Sequence, residues 1–129
     1  MTAATLAAHN TLRRDAAATL RRLGWIQGDY IKKRGFLPRH VRPVCMVEAI
    51  GRAAGLPPAA LGRAKRPSDP DMAAKWDTAQ DLIGEISTFL GRNPQRAGLK
   101  PRAWLTNWND RKGRALDEVL AALEGEASQ

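Results

Sequence analysis

The chain has 129 residues, a formal charge of +8 and a single cysteine, Cys45. That length fits one domain able to bury roughly two-thirds of its unfolded surface. The composition excludes an internal disulfide and, with no apolar run near the ~18 residues of a bilayer span, a transmembrane segment. The opening MTAATLAAHNTLRR lacks the basic-then-apolar order of a signal peptide, so the expectation is a soluble, cytoplasmic protein. The charge is uneven. Residues 1–66 hold 13 Lys/Arg against Asp15, Asp29 and Glu48, whereas residues 67–129 hold 8 Lys/Arg against 10 Asp/Glu. Such asymmetry points to one face that meets a negatively charged partner.

Taken in chain order, a first helix is predicted from Thr5 to Leu23. Leu12, Ala16, Thr19, Leu20 and Leu23 form a stripe at helical period, and Gly24 sits where a C-terminal cap belongs. Arg14 and Arg21 point away from the stripe, with Arg13 and Arg22 flanking them, which gives the helix a basic outer side. Residues 29–43 form an irregular loop or a short hairpin, because Gly35, Pro38 and Pro43 prevent a continuous helix. This stretch packs Lys32, Lys33, Arg34, Arg39, His40 and Arg42 around Tyr30 and Phe36, against the one acid Asp29.

A second helix is predicted from Pro43, a favourable first-turn residue, to Ala54. It is apolar nearly all round, which places it at the centre. A third helix opens at Pro70 behind Ser68 or Asp69 and closes at Gly91. Met72, Trp76, Ala79, Ile83, Ile86 and Leu90 make its seam, and Asp77, Asp81 and Glu85 line the opposite side. Residues 91–107 read as a connector with one helical turn near Trp104. Asn109 or Asp110 then caps a last helix whose buried stripe is Leu116, Val119, Leu120 and Leu123. The expectation is an all-α bundle of about four helices, one domain over 1–129, with an ordered core at 5–124 and frayed ends at 1–4 and 125–129. Leu20, Leu23, Val47, Ile50, Trp76, Ile83, Ile86, Val119, Leu120 and Leu123 are its predicted core.

No catalytic or metal-ligand pattern stands out. Cys45 and His40 suggest a nucleophile and base, but Cys45 lies among Val44, Met46 and Val47, where a thiol behaves as a small hydrophobe. His9, His40 and Cys45 lack ligand spacing. No cofactor is expected. Glu48 falls on the buried helix and needs a cationic partner, with Arg52 and Arg114 as candidates. Trp25, Trp104 and Trp108 sit at helix ends, where they plug the bundle through indole N–H bonds or stack on bases.

Gly24-Trp25 with Gly28, Pro43-Val44-Cys45 leading into Ala49-Ile50, and Trp108-Asn109-Asp110 followed by Arg114 and Glu118-Val119 form a dispersed pattern. Together these pieces resemble a family of small proteins from actinobacteria and their phages that has no assigned function. The resemblance implies a helical fold and a phage source, and it supplies no activity. The chain departs from the family at Glu48, where Gly is usual, and in the longer, more basic stretch 29–42.

Three functions remain open on this reading. The first is a small basic accessory protein that binds a polyanion, nucleic acid, mainly through phosphates. Its contacts would be Arg13, Arg14, Arg21, Arg22, Lys32, Lys33, Arg34, Arg39, His40 and Arg42. The second is a phage-type factor that engages a host protein through an exposed apolar patch at Trp104, Leu105 and Trp108. The third is a small-ligand binder or enzyme, which needs a deep pocket with convergent polar groups. Oligomeric state is left open.

Overall fold

The computed structural model describes residues 2–63, 65–96 and 98–125. Among these residues the fold is all-α, with five α-helices, one short 3-10 turn and no strand beyond isolated bridges. The expected fraying of residue 1 and of 126–129 lies outside the described residues.

Helix α1 (Ala3–Leu23) starts earlier than expected because Thr2 caps it: its hydroxyl oxygen accepts the Thr5 N–H. Helix α2 is Met46–Ala53, α3 is Pro70–Phe89, α4 is Pro101–Asp110 and α5 is Leu116–Glu124. α2 touches α1, α3 and α4, so the shortest helix is the central one. Met46 through Gly51 are all buried, as the apolar sequence demands. α3 begins as read, with Asp69 accepting the Met72 N–H and Pro70 in the first turn. The predicted core residues are buried, except that Leu23 and Leu120 pack half-buried against its margin.

Two expectations are corrected. The first concerns Pro43–Cys45, which is extended rather than helical. Val44 bonds to Gly24 and Ile26 on one side, while Pro43 and Cys45 bond to Lys32 and Tyr30 on the other. This extended pairing on both sides satisfies the backbone that a helix would otherwise have used. α2 therefore starts at Met46, with the Cys45 sulfur accepting the Glu48 N–H at 3.5 Å.

The second correction is α4. Pro101 opens a ten-residue helix, and Trp108-Asn109-Asp110 is its end rather than the cap of the next one. Proline suits a first helical turn as well as it suits a connector. α5 starts at Leu116 behind Ala115, whose N–H donates to the Glu118 carboxylate at 2.9 Å. Ala115 has no side-chain oxygen to return that bond, so only half of a capping box forms.

Asn109 is fully buried and ties the elements together. Its Oδ1 accepts from the Trp25 indole N–H at 2.7 Å and from the Met46 N–H at 3.2 Å. Its Nδ2 donates to the Ile26 carbonyl at 3.2 Å. The neighbouring Asp110 accepts the Gly28 N–H at 3.0 Å, and the Gln27 amide donates to the Asn109 carbonyl at 2.9 Å. One helix end thereby fixes both the turn after α1 and the start of α2.

Candidate functional site

The basic stretch leaves the paired segment at Ile31 and returns to it at Pro43. Between these points most of its backbone has no helix or sheet partner. Arg42 fills that gap. Its guanidinium donates to the carbonyls of Leu37 at 2.7 Å, Lys33 at 2.9 Å, and Lys32 and Gly35 at 3.4 Å. A planar fork of five donors suits a ring of backbone oxygens. Arg42, expected to contact a ligand, instead braces its own loop.

The returning limb is anchored to the core. Residues Arg39–Val41 form the 3-10 turn, and the His40 carbonyl accepts from Arg52 Nη1 at 2.8 Å. Arg52 Nε in turn pairs with the buried Glu48 carboxylate at 2.8 Å. The same carboxylate accepts the Ala59 N–H at 2.9 Å and pins a turn in which Ala59 adopts φ 65°. Burial pushes the Glu48 carboxyl above its ordinary range, against the pull of the Ala59 N–H and Arg52. The outgoing limb is held by Tyr30, whose hydroxyl accepts from Arg102 and lies beside Thr106. The Tyr30 ring lies over Gly62, where an added Cβ would come within 3.1 Å of it.

What remains exposed on this braced frame is cationic. Lys32, Lys33, Arg34, Arg39 and His40 are exposed. Lys32, Lys33 and Arg39, with Asp29, Tyr30, Ile31, Arg42 and Ala59, line a concavity of about 310 Å³. Asp29 lies 3.4 Å from Lys33 and is the one carboxylate in that lining among the described residues.

The first-helix arginines go elsewhere. Arg13, expected on the outer side, turns inward: Nη1 donates to the Ala122 and Leu123 carbonyls at 3.1 and 3.2 Å, and Nη2 lies 3.7 Å from Glu85. A cation at the carbonyl end of α5 complements that helix's dipole. Arg21 pairs with Glu124. Arg14 and Arg22 stay exposed. Among the described residues, no hydrogen bond or ion pair joins these arginines to the 29–42 loop. The structure thus gives Arg13 and Arg42 partners within the chain, and leaves Arg14 and Arg22 exposed on α1 and Lys32, Lys33, Arg34, Arg39 and His40 exposed on the loop.

The apolar alternative also changes. Leu105 is fully buried, and Trp104 and Trp108 are half-buried against the core. Trp108 is covered by Arg114, whose guanidinium carbon lies 3.7 Å from the ring centroid. Trp104 borders a hollow of about 330 Å³ that also includes Arg92, Arg96 and Leu99. A further hollow of about 510 Å³ runs between α1, α2 and α3 and is lined mainly by Ala and Thr with Asp15, Asp71 and Lys75. Among the described residues, the large exposed apolar side chains are Leu6, Phe36, Leu37, Phe89 and Leu99.

Cys45 and His40 do not form a catalytic pair. His40 is exposed on the loop, whereas Cys45 is buried, with its thiol pushed up to about 12 chiefly by that burial. Sequence reasoning missed His9, buried with Nδ1 2.8 Å from Glu85. Arg13 lies beside the same Glu85 carboxylate on the acidic side of α3, where Arg66 also pairs with Asp77 through two bonds of 2.9 and 2.7 Å. Asp77 is held below its usual range by that arginine. The role of Arg52 was legible in part as the local Glu48–Arg52 spacing, whereas no local signal announced the bond from Arg102 to Tyr30, 72 residues away. Among the described residues no helix is long and apolar enough to cross a membrane, and no group of three His, Cys, Asp or Glu side chains could hold a metal ion.

A family model described as a family of unknown function, DUF6197, matches residues 3–128. The chain belongs to that family. No curated protein and no solved structure matches it.

Proposed function

We propose that the protein is a small basic accessory factor that binds a polyanion, nucleic acid, mainly through phosphates, in the cytoplasm. The single observation behind this reading is the braced concavity lined by Lys32, Lys33 and Arg39, with Arg34 and His40 exposed nearby. Arg42 and Arg52 hold the backbone of this loop, so its exposed cations stand on a preformed frame. A preformed frame lowers the ordering cost of binding. Phosphate contacts of this kind position a nucleic acid without reading its sequence.

Binding to a duplex oligonucleotide, titrated across salt, tests the reading. Three phosphate contacts give a log–log slope of about −2.7 and a loss of tens of fold between 50 and 200 mM salt. The triple variant Lys32→Ala/Lys33→Ala/Arg39→Ala should abolish most of that slope. An affinity indifferent to salt would rule the reading out.

A second reading, a phage-type factor that engages a host protein, is supported by the hollow at Trp104 and Leu99, with Leu99 exposed. A specific partner retained after nuclease treatment, and lost in Trp104→Ala, would favour it over the first.

A further inference from the structure

Phe36 is fully exposed at the tip of the basic loop, and its neighbour Leu37 is half exposed. An aromatic ring left in water forgoes the gain of burial, so a slack loop would fold it back onto apolar surface. This loop is not slack. Arg42 ties the carbonyls of Lys33, Gly35 and Leu37, which flank the ring on both sides. Pro38, just beyond, has a fixed φ, and the 3-10 turn at Arg39–Val41 follows at once. The braced backbone presents the ring to solvent, and in the chain it is flanked by Arg34 before it and by Arg39 and His40 after it, all exposed.

We infer that Phe36 is a base-stacking residue and that the loop binds single-stranded nucleic acid in preference to duplex. This rests on the nucleic-acid reading above and adds the strand state of the ligand. An exposed ring beside cations is the arrangement by which single strands are held: phosphates follow the charges while an unpaired base covers the ring. In a duplex the base faces are already stacked on one another, so the ring has nothing to cover it. A bilayer surface is the competing occupant for a Phe-Leu tip flanked by cations. The geometry favours a strand, because Lys32, Lys33 and Arg39 line a concavity suited to a phosphate rather than a plane matching a lipid surface.

The test measures binding of the full chain to one oligonucleotide sequence, single-stranded and as duplex, at fixed moderate salt. Vesicles of phosphatidylcholine with phosphatidylserine form a third arm. The wild type should bind the single strand more tightly than the duplex. Phe36→Ala should weaken single-strand binding roughly tenfold and leave duplex binding unchanged, and Phe36→Trp should restore it. Phe36 touches no core residue by its exposure, so the variants should fold, and their circular dichroism checks this. If both nucleic acids bind equally and Phe36→Ala changes neither, stacking is overturned while the phosphate reading stands. If neither binds, both readings fall. If vesicles bind, lose binding in Phe36→Ala, and outcompete the single strand, the tip is a lipid contact and the inference fails.

Discussion

Asn109 and Arg42 each gather several hydrogen bonds, yet they do opposite work. Asn109 is fully buried and joins segments up to 84 residues away. Arg42 reaches only back along its own loop, at most 10 residues, in water. The first hub replaces solvent for groups that have no other partner, so each bond carries the cost of an orphaned donor if lost. The second competes with water at every carbonyl, so its bonds decide a shape more than a stability. The contrast teaches where each should show itself on mutation: Asn109 in unfolding, Arg42 in what the loop can hold.

The largest expected effect follows directly. Asn109→Ala leaves the Trp25 indole N–H and the Met46 N–H without their acceptor and opens a small void. The loss should be roughly 2–6 kcal/mol, about 1–3 for each buried donor left unpaired. Chemical denaturation followed by tryptophan fluorescence measures it. A change under 1 kcal/mol would mean that water reaches the site and that the two hubs are alike after all.

Between the extremes stands the anchor that connects loop to core. Glu48→Ala leaves the mostly buried Arg52 guanidinium without its counter-charge and frees the Ala59 turn. This should cost about 3–5 kcal/mol. The pH dependence has a definite sign. Burial raises the Glu48 carboxyl above its ordinary value of 4.5, so the folded state holds that proton more tightly than the unfolded chain does. Its contribution is fully present below pH 4.5 and is lost as pH rises through the elevated value. Relative to Glu48→Gln, the wild type should therefore lose stability as pH climbs from 4.5 toward neutrality. Parallel stability curves for the two proteins would contradict this.

How much of this was open to a reader of the sequence follows from the range of the interactions. α1 and α3 were legible because their signals are local: a stripe at helical period, Asp69 and Pro70 at one start, Gly24 at one end. α4 was not, because Pro101 and Asn109-Asp110 satisfy the rules for a connector and a cap as well as those for a helix. Only partners 63 to 84 residues distant decide between them. Pro43 misled in the same way, since extended pairing with Gly24 and Tyr30 segments lies outside any window. For the site, the cluster of cations was visible, but not which of them fold back on the chain. A loop with many carbonyls and few pairing N–H groups invites an arginine, and that count could have singled out Arg42. Nothing near Arg13 announces the carbonyls of Ala122 and Leu123 that claim it.

Arg42→Lys tests the exposed hub without changing net charge. An ammonium cannot span four carbonyls in a fork, so the loop should slacken while the core stays intact. The expected signs are faster tryptic cleavage after Lys32, Lys33 and Arg34, a stability change under about 1 kcal/mol, and polyanion affinity several-fold weaker. Unchanged affinity would show that charge alone matters and that the brace is incidental.

The smallest effect belongs to the exposed arginines that the loop leaves behind. Arg14 and Arg22 lie outside the concavity, and neither takes part in an ion pair among the described residues. If the ligand lies along the loop alone, they act only through the long-range field, which falls away beyond a Debye length of about 8 Å at physiological salt. Arg14→Ala/Arg22→Ala should then lower affinity by less than about threefold at 150 mM salt and leave the slope against log salt nearly unchanged. The two expectations separate field from contact, because a direct phosphate contact removes about 0.9 from the slope for each arginine lost in duplex binding. A fall of nearly two units would place α1 and the loop on one continuous track and make the Arg42-braced loop only part of the surface.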